Sequence, residues 1–127
     1  MTSEQSIYER IGENQLSSIV DRFYHYVSNH PELAPIFPDD LTETARKQKQ
    51  FLTQFFGGPP LYSQEHGHPM LRARHMPFQI TPTRAKRWIE CMIRAIDEEP
   101  IGEPLRTEMI ERLQFTANHM VNSSEPS

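Results

Sequence analysis

Proline and glycine cut this chain into pieces, and every apolar piece between them repeats at helical spacing. The 11 prolines and 5 glycines among 127 residues are the strongest local punctuators a chain carries. Between them, Leu16, Ile19, Val20, Phe23 and Val27 share one face of a helix, as do Ala85, Trp88, Ile89, Met92 and Ile96, and again Met109, Leu113, Thr116, Ala117 and Met120. No segment alternates apolar and polar residues as a half-buried strand does, so the fold class is all-α. A short helix is expected over 4–11, ending at Gly12, and a second ends near 28–31. After a turn or short helix through Leu33 and Ile36, Asp40-Leu41-Thr42-Glu43 reads as a capping box that opens a helix to about Phe56. The segment 61–69 has no period and reads as loop. A short helix over 70–75 is closed by Pro77, which disfavours helical geometry in the residue before it. Thr81 caps the next helix, with Pro82 in its first turn, and the last helix follows Pro104. The polar tail from Asn122 is expected to fray.

One domain, 1–127 with a core over about 7–122, is what this length supports, and so one site is sought. Hydrophobic residues make up only 36% of the chain, a modest share that suggests a core completed by something other than protein. The net charge of −4 and the lack of a long basic run give no electrostatic footprint for nucleic acid. No stretch of membrane-spanning length is apolar, and no basic-then-apolar leader is seen at the start. The expectation is a soluble, cytoplasmic protein with no membrane partner. Cys91 is the lone cysteine, which allows no internal disulfide, agrees with a reducing compartment, and reads as a small hydrophobe.

Several residues do not fit a plain helical core. On a wheel of the helix from Leu41, the apolar face of Leu41, Ala45, Leu52 and Phe55 has Gln48 near its middle and Thr44 at its edge. A buried unpaired amide costs about 1–3 kcal/mol, so Gln48 needs a partner, water, or a polar occupant of a cavity. Tyr24 and Trp88 stand at the edges of their own apolar faces, each a rigid ring with a polar donor. Taken singly, each is an ordinary core residue. Three helices that each turn a polar group inward describe an apolar cavity with convergent donors, suited to a small ligand bearing partial negative charge.

Of six histidines, His25, His30 and His119 fall off the core faces. His66 and His68 with His75 would supply three nitrogens to zinc, though a two-apart pair in a loop without cysteine or acid at ligand spacing is a weak signal. His75 stands at the end of a short helix in Arg72-Ala73-Arg74-His75-Met76-Pro77, where a packed or capping histidine is the plain alternative. The arginines shift the weighting. Haem needs an axial imidazole and cationic partners for its propionates, and guanidinium matches a carboxylate.

These residues resemble the group II truncated haemoglobins, two-over-two helical globins of bacteria and plants, and in particular their Bacillus-like members. The resemblance runs from about Ile7 to Asn122. It rests on Phe23-Tyr24, Pro35-Ile36-Phe37-Pro38, the run Thr44 to Leu52, Gly57-Gly58-Pro59, His68 to His75, and Trp88. It implies a b-type haem (heme b) with His75 as the proximal iron ligand, Tyr24, Thr44, Gln48 and Trp88 as distal ligand-binding residues, and Phe37, Phe51, Leu52 and Trp88 packed on the haem. Arg72 and Arg74 correspond to propionate-side residues. Some relatives carry tyrosine at the position of Phe37, so phenylalanine here shifts weight onto Tyr24, Trp88 and Gln48.

The function implied is high-affinity binding of O2, formally oxygen transport, with CO, NO, peroxide or sulfide as further ligands and a monomer or homodimer as the assembly. An alternative is a haem enzyme that oxidises NO or reduces peroxide. The chain has no glycine-rich nucleotide motif, so that reading requires a separate reductase. A third reading, a helical interaction module without cofactor, predicts a colourless protein.

Overall fold

The structure, a computed structural model, describes residues 5–124. Its first helix, α1 (Ile7–Ser28), begins at a capping box. The Ser6 hydroxyl accepts from the Glu9 N–H at 3.1 Å, and the Glu9 carboxylate accepts from the Ser6 N–H at 3.0 Å, satisfying two otherwise unpaired donors. Gly12, at φ 79°, breaks the run. The two expected helices are thus one segment with a break at the residue that tolerates it, and the expected start at Glu4 lies outside the described residues.

A 3₁₀ turn (Ala34–Ile36) leads to α2 (Thr42–Phe55), α3 (Leu61–His66), α4 (Leu71–His75), α5 (Pro82–Asp97) and α6 (Leu105–His119). No strand occurs among the described residues. The helix α5 begins as its sequence predicts, with the Thr81 hydroxyl accepting from the Arg84 N–H and Pro82 in the first turn.

Three expectations are corrected. Leu41 precedes α2 without a side-chain cap. Asp40 instead closes a local turn by accepting from the Thr42 N–H at 3.0 Å, and Glu43 is drawn to Arg46 rather than back to the cap. The segment read as loop contains α3. Six residues are too few to show a period or to hold a helix alone, and α2 holds this one: Gln54 exchanges two hydrogen bonds with Ser63, at 2.8 and 3.0 Å. The tail is pinned at its start, where the Asn122 N–H donates to the Ile80 carbonyl at 2.9 Å.

The helix α1 packs on α2 and α5, and α5 packs on α6. Leu16, Ile19, Val20, Phe23, Leu52, Met92, Ile96, Met109 and Leu113 fill the space between them, each large side chain contributing about 1.5–3 kcal/mol by burial. Cys91 is buried in the same core, and burial pushes its thiol up from the ordinary value. The short α4 has no buried residue. It hangs at the rim, and a hollow remains between it and the helices opposite.

Candidate functional site

That hollow has a volume of about 510 Å³, within the roughly 300–1,000 Å³ typical of small-molecule and cofactor sites. Its lining brings together Tyr24 from α1, Phe37 after the 3₁₀ turn, Thr44, Gln48, Phe51 and Leu52 from α2, Arg74 and His75 from α4, and Trp88 from α5. Nine of the ten site residues expected from the sequence therefore meet on one cavity. Arg72 does not line it; its guanidinium donates to the Val121 carbonyl at 3.2 Å.

On the α4 wall, His75 Nδ1 lies 2.7 Å from the carbonyl oxygen of Leu71. A carbonyl only accepts, so Nδ1 carries the proton of the neutral ring and the lone pair falls on Nε2. A metal-ligating histidine needs this arrangement, with one nitrogen anchored to an acceptor and the other free to coordinate.

The candidate donors line the same cavity. The ring of Tyr24 is locked by edge contacts with Phe23 at 4.9 Å and Phe37 at 6.0 Å, and Phe23 also meets the Trp88 ring at 5.2 Å. Tyr24 is 7% exposed. Burial raises the pKa of its hydroxyl, which keeps the group protonated and a donor. No described residue forms a hydrogen bond with the side chain of Tyr24, Thr44, Gln48 or Trp88, yet no described buried side-chain nitrogen or oxygen is sealed away without a partner. Their polar atoms therefore stay open to the cavity or to solvent.

Lys47 and Arg84 also line the cavity and were not anticipated. Lys47 had a legible signal: Thr44, Lys47, Gln48 and Phe51 fall at i, i+3, i+4 and i+7, one helical face. Arg84 uses Nε and one terminal nitrogen on the carbonyls of Glu32 and Gln79. Arg74 donates to the carbonyls of His66 and His68 and lies 5.4 Å over the Tyr62 ring.

The two histidines considered with His75 for zinc have other partners. His66 Nε2 is 2.9 Å from Gln50 and 3.0 Å from Glu65, while His68 Nδ1 accepts from the Met70 N–H. No three His, Cys, Asp or Glu residues among those described cluster to hold a metal ion. Nor is any described helix long and apolar enough to cross a membrane.

Known proteins resemble this chain over most of its length. The bacterial-like globin family matches residues 6–122. The group 2 truncated haemoglobin YjbI of Bacillus subtilis is 61% identical over 118 residues, covering 93% of this chain and 89% of that protein. The crystal structure of the group II truncated haemoglobin from Bacillus anthracis superposes with a TM-score of 0.96 at 57% identity, covering 99% of this chain and 98% of that one. The X-ray structure of a truncated oxygen-avid haemoglobin from Bacillus subtilis gives 0.91 at 60% identity, covering 93% and 100%.

Proposed function

This chain belongs to the bacterial-like globin family as a group II truncated haemoglobin, and from that premise we propose that it holds a non-covalent b-type haem on His75 and binds O2 tightly beneath Tyr24, Trp88 and Gln48. Haem-based ligand binding follows from the family. The particular residues and the high affinity are our reading.

The residues present fit the group. The cavity has the size of a cofactor site, aromatic walls at Phe37 and Phe51, and an imidazole with Nδ1 anchored and Nε2 free. Lys47 and Arg74 stand on its lining as cationic partners for two propionates. No Cys-x-x-Cys-His attachment sequence exists, and Cys91 is buried in the core, so attachment is non-covalent.

Bound there, haem supplies an iron that takes a diatomic ligand and shifts electron density onto it. The side chains opposite then act as they would on an oxyanion. Tyr24 and Trp88 present O–H and N–H donors on rings fixed by Phe23 and Phe37, so little reorganisation accompanies their bonds to the ligand. Gln48 and Thr44 add adaptable donors from α2. Hydrogen bonds of this kind contribute about 1.5–3 kcal/mol each, enough to slow release by orders of magnitude, a property in keeping with the oxygen-avid relative from Bacillus subtilis.

One observation carries the proposal: side chains with unpartnered donors from α1, α2 and α5 line the same cavity as an anchored imidazole. Its test is the absorption spectrum of the purified protein, followed by extraction with acidified organic solvent. A Soret band whose pigment leaves the polypeptide is expected. A colourless protein, or pigment that stays with the chain, contradicts the proposal.

A further inference from the structure

The helix that carries His75 is one turn long, buries none of its residues, and starts from Met70 in the left-handed region at φ 43°. A helix this short has no stability of its own, so the orientation of His75 must be imposed from outside. We infer that Asn122, just past the end of α6, is a positioning residue for the proximal histidine, an inference that rests on the haem reading above.

The Asn122 side chain donates through Nδ2 to the carbonyl of His75 at 3.2 Å and to that of Phe78 at 2.9 Å. Its Oδ1 accepts from the Ile80 N–H at 3.0 Å and from the Ser123 hydroxyl at 2.9 Å. The amide orientation is unambiguous, because the opposite assignment would set its carbonyl against two other carbonyls. The main chain joins in: the Asn122 N–H donates to Ile80, and Arg72 reaches the Val121 carbonyl at 3.2 Å.

His75 is therefore held at two points. Leu71 anchors its ring from within α4, and Asn122 anchors its backbone from 47 residues away. Since α6 also forms a wall of the cavity through Leu113 and Ala117, Asn122 ties the ligating imidazole to the frame that encloses the haem. All four hydrogen-bonding positions of one amide are spent on this junction, and a carboxylate or methyl in its place removes both donors, leaving the His75 carbonyl with the Phe78 N–H alone and taking the side-chain donor from the Phe78 carbonyl.

The test uses holoprotein with Asn122→Asp, Asn122→Ala and the control Ser123→Ala, which removes a bond to Asn122 and none to His75. The readouts are the iron–histidine stretching band of the ferrous unliganded protein and the C–O stretch of its CO complex. Both Asn122 variants should shift and broaden the iron–histidine band and lose haem about tenfold faster, the scale of losing two ordinary hydrogen bonds. Ser123→Ala should leave the band in place, and the C–O stretch, which reports the distal side, should not move in any variant. An unaltered iron–histidine band in both Asn122 variants overturns the inference even if haem loss quickens, because general destabilisation does not retune that bond. A wild-type protein without a His75-dependent iron–histidine band overturns the haem reading itself, and the inference with it.

Discussion

The ring nitrogen Nδ1 of His75 donates to the carbonyl oxygen of Leu71, one turn earlier in α4, at 2.7 Å. In the proposed haem site, that bond leaves Nε2 as the nitrogen available to an iron. His75→Gly should lose most of its haem and recover part of it when free imidazole is supplied, since the coordinating group is then provided in trans. His66→Ala and His68→Ala should keep theirs, because those rings are engaged with Gln50, Glu65 and the Met70 amide. Soret absorbance per polypeptide after desalting makes the comparison. Haem retained by His75→Gly but lost from the two loop variants would identify the wrong ligand.

Tyr24 should make the folded protein sensitive to alkali. Burial raises its pKa in the folded state above the ordinary value of 10.0, so the folded chain holds this proton where the unfolded chain releases it. Its contribution is fully present below about pH 10 and is lost as pH climbs from there toward the raised folded value, at up to about 1.4 kcal/mol per pH unit. Denaturant unfolding from pH 8 to 11 should show a shallower alkaline decline for Tyr24→Phe than for wild type. Parallel curves would mean that the hydroxyl ionises as freely in the fold as outside it.

Two glycines with positive φ separate backbone strain from crowding. A Cβ at Gly12, φ 79°, meets nothing within 4 Å, whereas one at Gly57, φ 93°, would come within 2.6 Å of the Ser6 Cβ. Gly12→Ala should cost about 1–3 kcal/mol from its backbone alone, since φ 79° with ψ 164° is a region essentially only glycine adopts, and Gly57→Ala more, because Ser6 is fixed by its capping box with Glu9. Equal losses in chemical denaturation would show that the junction of α1 with α2 yields freely.

Much of this was legible because helices long enough to repeat declare their buried faces. The run Leu16 to Val27 and the run Ala85 to Ile96 point inward as their spacing predicts, and Gln48, polar on an apolar face, marks the cavity by its misfit. What escaped was short or distant in sequence. The helix α3 has no period to read, and it forms because Gln54 and Ser63 join it to α2. Asn122 looks like the start of a polar tail, and its grip on His75 and Ile80 joins segments that only the folded chain brings together. Lys47 was hidden by its charge, although it shares a helical face with Thr44 and Gln48. The haem itself came from likeness to a family, since no spacing of side chains specifies a porphyrin.

The central claim is that Tyr24 and Trp88 act on a bound ligand rather than merely filling the core, and stopped-flow dissociation of O2 tests it most directly. Tyr24→Phe and Trp88→Phe each delete one donor and keep an aromatic body against Phe23, so each should release O2 roughly ten- to a hundredfold faster. The double variant should depart from the product of the two, as neighbours converging on one small ligand couple by about 0.5–3 kcal/mol. CO, which carries less negative charge when bound, should respond far more weakly in the same variants. Unchanged O2 release in all three would contradict the account and leave both side chains as packing alone.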